Sequence, residues 1–210
     1  ILTENVIFII LNIVFLVILA LFLYLKTDDM AGLEERTAKD VALMIDAAKR
    51  LEKGGADFVV ICTNTMHKMA DDVQSNIKIP LLHIADATAE KIKAKGLKKI
   101  GLLGTKFTME EDFYKGRLIK KYKLDVIIPN EKDRQIVHDV IYHELCLGKI
   151  NQSSKDQFIK IINKLVDNGA EAVILGCTEI PLLVQQKDVK VLLFDTTRIH
   201  AESAVEYALK

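Results

Sequence analysis

The chain contains no tryptophan, and aromatic residues make up only 6% of its 210 positions. A site that grips sugars or bases by stacking is therefore disfavoured. Cysteine is scarce as well, with three residues at 62, 146 and 177. An odd, widely spaced set is a poor disulfide framework and points to a reducing compartment. There is no CxxC pair and no Cys/His cluster with zinc spacing. Neither sign of charge dominates, since Lys plus Arg and Asp plus Glu each number 29. Nothing in that balance recruits nucleic acid.

What the chain does have, at its start, is an uncharged run, "VIFIILNIVFLVILALFLYL", over residues 6–25. A helix of that length spans about 30 Å, the thickness of a bilayer core. Residues 1–30 are therefore read as an apolar N-terminal segment with a candidate membrane span at 6–25. Lys26 follows the run and no Lys or Arg precedes it. The positive-inside rule then puts the C-terminal body in the cytoplasm, with membrane contact through 6–25.

The body alternates between two periods. Apolar positions Val41, Ala42, Ile45, Ala48 and Leu51 mark one face of a helix over 33–53, stopped by Gly54-Gly55. Short β-branched apolar runs at 57–62, 79–84, 98–105, 125–129, 170–177 and 189–195 read as buried parallel strands. Between them lie helical stretches at 66–76, 86–96, 109–122, 132–147, 153–168 and 197–209. Strands alternating with helices predict an α/β fold built on parallel sheets.

Within that pattern one phrase is written twice. "KRLEKGGADFVVICTNTMHK" at 49–68 and "NKLVDNGAEAVILGCTEIPL" at 163–182 both run helix, Gly-Ala turn, buried strand, Cys-Thr. Each is followed by a further strand near Asp-Ala-Thr (86–88) or Asp-Thr-Thr (195–197). We read two similar parallel-sheet α/β domains related by a pseudo-twofold, 31–96 plus 195–210 and 97–194. Ligands bind at the carboxyl ends of strands in such sheets, which is where both Cys-Thr corners fall. The copies are unequal. Ile100, in the opening strand of the second half, lies 77 residues before Cys177, whereas only 61 residues precede Cys62 and 25 of those belong to the apolar start. The first domain is thus expected to be incomplete.

Two thiols at matching corners suggest a reaction. A thiolate on one face of a carbon acid can remove a proton while a thiol on the other returns one, which racemises the centre without a cofactor. Cys146, in "YHELCLGK", reads instead as core packing. "GLLGTK" lacks the spacing of a phosphate loop, and "HDVIYHEL" lacks that of a HExxH zinc site. His67 and His83 read as structural, and "KIKAKGLKK" as a solvated face.

The motifs "ICTNTMHK", "LGCTEIPLL", "IPLLHIADAT", "KKIGLLGT", "TMEEDFYKGRL", "ELCLGK" and "LFDTTRIHAESAVEYAL" together resemble the cofactor-independent aspartate/glutamate racemases, in their aspartate branch. The resemblance runs from about residue 35 to 210. It implies Cys62 and Cys177 as the acid/base pair, acting on aspartate or glutamate with no cofactor and no metal. It implies Asn64, Thr65 and Thr178 on the substrate's α-carboxylate and amino group, Thr105 in the cleft lining, and Lys149 on the distal carboxylate. It further implies a homodimer. Where family members carry a strand and a Gly-Gly-Met-Ser type loop with an Arg nearby, this chain has the apolar segment. The alternative is a truncated or membrane-tethered homologue that binds a small dicarboxylate without turnover. A third reading is a sister isomerisation or decarboxylation of a small diacid.

Overall fold

A computed structural model describes residues 38–210. The apolar run 6–25 and its candidate membrane span lie outside the described residues. Among the described residues no helix is long and apolar enough to cross a membrane. The chain divides into two compact units, each an α/β arrangement with a parallel sheet.

Unit one takes in described residues 38–62, 66–84 and 201–210. Helix α1 (Ala38–Lys53) presents Met44, Ile45 and Ala48 to strand β1 (Val59–Val60), helix α2 (Ala70–Asn76) and strand β2 (Leu81–Leu82). Ala48, Val59, Val73 and Ile77 are its buried centre. The helix stops where the sequence says it should, since Gly55 takes φ +89°, a left-handed conformation glycine adopts without strain. Strands β1 and β2 pair in parallel, Val59 with Leu81 and Val60 with Leu82. The approach to β2 is held by side chains. Glu52 Oε1 accepts from the N–H groups of Lys78 and Ile79, and Gln74 Oε1 accepts from that of Leu81. His67 is structural, as expected: its ring is buried 4.4 Å from that of His83, and its Nε2 accepts from the Ile84 N–H.

Unit two takes in residues 63–65 and 85–200. Its four strands are β3 (Lys99–Gly104), β4 (Asp125–Ile127), β5 (Ala172–Gly176) and β6 (Leu192–Asp195), in the order β4-β3-β5-β6 and all parallel. Every residue of β5 is buried, and so is all of β3 after Lys99, which is why both read as unbroken apolar runs. Unit two also holds α3 (Ile84–Ala94), α4 (Lys106–Glu110), α5 (Arg117–Tyr122), α6 (Glu131–His143), α7 (Gln152–Asp167), α8 (Ile180–Leu183) and the start of α9 (Thr196–Ala208), whose residues from 201 on belong to unit one. Asn130 caps α6 through the Asp133 N–H, and the buried Asp133 carboxylate pairs with Lys164 on α7.

One expected helix is broken. The stretch 109–122 is α4, a π-turn over Asp112–Gly116 and α5. Helix α4 begins early because Thr105 caps it, and it ends where Glu111 turns extended at ψ 156°. A side chain at 116 would come within 2.9 Å of the Asp112 carboxyl, so Gly116 leaves that carboxyl its place in the turn. On α5, Arg117 makes a bidentate pair with Asp86 of α3 at 2.6 and 2.8 Å, with Lys121 on the same carboxylate at 2.7 Å.

Candidate active site

The carboxyl ends of β3, β5 and β6 carry the chemistry of unit two. In the sheet register Gly104 pairs with Gly176. Thr105 and Cys177, the next residues, therefore leave neighbouring strands at the same level, with strand axes about 4.8 Å apart. The strands meet closely there: a Cβ on Gly104 would lie 2.8 Å from the Gly176 carbonyl oxygen, and one on Gly176 2.7 Å from that of Leu103. Beside them, Asp195 Oδ1 at the end of β6 accepts from the N–H groups of Thr197 and Arg198 and starts α9.

Residues 64 and 65 join this rim. Thr65 Oγ1 stands 3.1 Å from Thr105 Oγ1. Asn64 is buried, and its Nδ2 donates to Thr196 Oγ1 at 3.0 Å. The Thr196 hydroxyl proton is already given to the Leu175 carbonyl at 2.9 Å. That oxygen can only accept from Asn64, so the amide orientation is fixed. It leaves Asn64 Oδ1 a buried acceptor to which nothing donates among the described residues. Such an atom is costly unless a ligand or water completes it.

Cys177 is buried, and its thiol donates to Glu179 Oε2 at 2.9 Å. The Thr178 hydroxyl donates to the same oxygen at 2.6 Å. Burial pushes the Cys177 thiol well above its ordinary 9.0, and the Glu179 charge and hydrogen bond push it further. Cys146 is half-buried in the short turn Leu145–Leu147, which packs against α8. Its thiol is raised to about 11, by burial first and then by the Glu179 charge. Cys146 is half-buried rather than in the core, and it stands in the field of the same carboxylate as Cys177.

Of the residues named from sequence, unit two brings Asn64, Thr65, Thr105, Cys177 and Thr178 to one rim. Lys149 is exposed in the loop after the Leu145–Leu147 turn, where its N–H donates to the Glu144 carbonyl. Cys62 stands in unit one just past β1, half-buried, its thiol raised by burial. The sequence reading passed over Glu179, Thr108 and Thr196. Glu179 was open to notice as the carboxylate two residues from Cys177. Thr196 lies in the quoted Asp-Thr-Thr, whereas no sequence signal marks Thr108. Among the described residues no group of three or more His, Cys, Asp or Glu side chains is arranged to hold a metal ion.

The Cys-Thr corner thus lies at the carboxyl end of a parallel sheet, beside the helix start at Asp195. The Asp/Glu/Hydantoin racemase family model matches residues 26–204, and the chain belongs to that family of isomerases. A broad specificity amino-acid racemase of Bacillus subtilis (strain 168) is 27% identical over 163 residues, covering 77% of this chain and 69% of that one. A Yersinia pestis structure, provisionally described as an Asp/Glu racemase, shares 49% identity at a TM-score of 0.80, covering 87% of this chain and 81% of that one. An aspartate racemase homologue from Pyrococcus horikoshii OT3 shares 38% identity at a TM-score of 0.73, covering 81% and 74%.

Proposed function

We propose that the chain is a cofactor-free amino-acid racemase acting on aspartate, with glutamate as the alternative substrate, through Cys62 and Cys177. The observation that carries this reading is the Cys177–Glu179 hydrogen bond at the carboxyl end of β5, in a chain of the racemase family. A buried thiol held against a carboxylate has a proton acceptor already in hydrogen-bond contact. When Cys177 acts as base, its S–H bond breaks, Glu179 takes the proton, and the thiolate forms a new S–H bond with the proton removed from Cα. The other thiol then gives its proton to the opposite face of the carbanion. In the reverse direction Cys177 is the donor, and its protonated resting state suits it for that step. Positioned acid–base groups of this kind contribute roughly 10²–10⁴-fold.

The remaining residues divide by what they can offer. Asn64 Oδ1, an acceptor with no donor among the described residues, suits the substrate ammonium. Thr178 has given its proton to Glu179, so its oxygen can only accept and suits the same ammonium. Thr65 suits the α-carboxylate, Thr105 lines the cleft behind it, and Lys149 suits the distal carboxylate. The same reading takes 31–96 with 195–210, and 97–194, as two α/β domains related by a pseudo-twofold, and the enzyme as a homodimer.

The test is isotope exchange. Purified chain incubated with L-aspartate in D2O is expected to yield D-aspartate with deuterium at Cα. Cys62→Ala and Cys177→Ala should each abolish racemisation. If both variants turned over like the parent, the two-thiol mechanism would be wrong.

A further inference from the structure

The hydroxyl oxygens of Thr108, Thr105 and Thr65 stand in a row, 3.2 Å apart for the first pair and 3.1 Å for the second. Each carries a single proton, so the row must have a direction. Thr108 is fully buried, and Thr105 Oγ1 is the partner of its hydroxyl among the described residues. A buried O–H left undonated is more costly than a spare lone pair, so the Thr108 proton goes to Thr105. The Thr108 backbone N–H points at the same oxygen from 3.4 Å. Thr105 Oγ1 thus accepts from Thr108 and has its own proton left for Thr65. Thr65, which is half-buried, then has its proton left for whatever lies on its open side.

The rest of the Thr108 side chain explains how the row is kept in place. Its methyl carbon lies 3.0 Å from where a Cβ on Gly104 would be, and 3.2 Å from where one on Gly176 would be. The methyl is seated over the closest approach of β3 and β5, one residue before Thr105 and one before Cys177. A seated methyl fixes the rotamer, and the rotamer aims the hydroxyl at Thr105. Serine would keep the proton but lose the seat, and valine would keep the seat but lose the proton.

We propose that Thr108, Thr105 and Thr65 form a polarised hydroxyl relay that makes Thr65 a committed hydrogen-bond donor to a carboxylate of the ligand, with Thr108 as its positioning residue. The identity of that ligand, a small amino acid, rests on the racemase reading above. Thr108 itself touches no ligand and acts through the two hydroxyls ahead of it.

The relay is tested with the full chain and two substitutions. Thr108→Val should raise the KM for aspartate by roughly three- to tenfold, the usual reach of one neutral hydrogen bond, with kcat changed less than about twofold. Thr108→Ser keeps the proton and should raise KM clearly less than Thr108→Val, while lowering the melting temperature, because the seat rather than the proton is lost. Parent-like KM in Thr108→Val, or equal weakening in both variants, overturns the relay. Neutron diffraction on deuterium-exchanged crystals reads the direction without any activity. A deuteron on Thr105 Oγ1 pointing to Thr65 supports the relay, and one pointing to Thr108 overturns it. Should the parent neither bind nor racemise aspartate, the racemase reading falls, and the neutron map alone decides the relay.

Discussion

The Cys177 thiol donates to the Glu179 carboxylate across 2.9 Å, and the neighbouring Thr178 hydroxyl donates to the same oxygen across 2.6 Å. One carboxylate oxygen therefore restrains both halves of the Cys-Thr corner. Because the charge of Glu179 also raises Cys146, its removal has a signature at two thiols at once.

Glu179→Gln keeps the shape and removes the charge. Both Cys177 and Cys146 should ionise at lower pH than in the parent, though burial still holds them above a free thiol. The pH midpoint of alkylation by iodoacetamide, read per cysteine by mass spectrometry, measures this. Racemisation that uses Cys177 as base should fall by about 10²-fold, the scale of one acid–base partner. Unmoved alkylation midpoints would mean that the carboxylate does not govern these sulfurs.

The raised thiols also set a pH dependence of stability. A thiol whose folded pKa lies above its unfolded one stabilises the fold fully below the unfolded value, and that contribution is lost as pH rises through the folded one. Starting from an ordinary value of 9.0, with Cys146 at about 11 and Cys177 raised as well, the window opens near pH 9 and extends upward. Denaturant midpoints of the parent should fall across that window and stay level below it. In a Cys146→Ala, Cys177→Ala double variant the fall should be shallower. An equal slope in parent and double variant would assign the alkaline loss to other groups.

Gly176→Ala tests the strand approach that sets Thr105 beside Cys177. The added methyl would meet the Leu103 carbonyl oxygen at 2.7 Å, and backbone in a central sheet cannot give way cheaply. A loss of about 3 kcal/mol is expected, the upper range for overpacking. Gly148→Ala is the comparison. At φ +70° with open space around it, it should cost about 1 kcal/mol from backbone strain alone. Chemical denaturation of the two variants gives the ranking, and equal losses would contradict the close approach.

Strands β1, β3 and β5 were legible as buried because β-branched apolar runs without alternation leave few other structures, whereas β2, β4 and most of β6, read the same way, are half-buried or exposed at sheet edges. The Cys-Thr corner was legible because the chain repeats it. The break at Asp112–Gly116 was not: Met109, Tyr114 and Leu118 are all buried, so apolar residues continue across it, and the only local mark is a glycine at 116 that leaves room for the Asp112 carboxyl. Thr108 was hidden for a different reason. Its importance comes from the register of β3 on β5, a pairing between residues about seventy positions apart that no local pattern encodes. Glu179 has no pattern of its own beyond lying two residues from Cys177; its role comes from the sulfur and the hydroxyl that share one of its oxygens.

Asn64 offers the sharpest test of which part of the ligand meets this rim. Its Nδ2 is committed to Thr196, whose own proton is committed to Leu175, so the free atom is an acceptor and calls for a donor. In a dicarboxylic amino acid the ammonium is the group that can supply one. Asn64→Ala should therefore weaken aspartate by about 10- to 100-fold, the range for a hydrogen bond to a charged group. Succinate, which has both carboxylates and no ammonium, should bind parent and variant within about twofold, because its ends meet donors that the substitution leaves in place. Titration calorimetry with the two ligands separates the cases. Equal weakening of both would show that the substitution collapses the rim. Weakening of succinate alone would assign the carboxylate to Asn64 and reverse the amide orientation argued from Thr196.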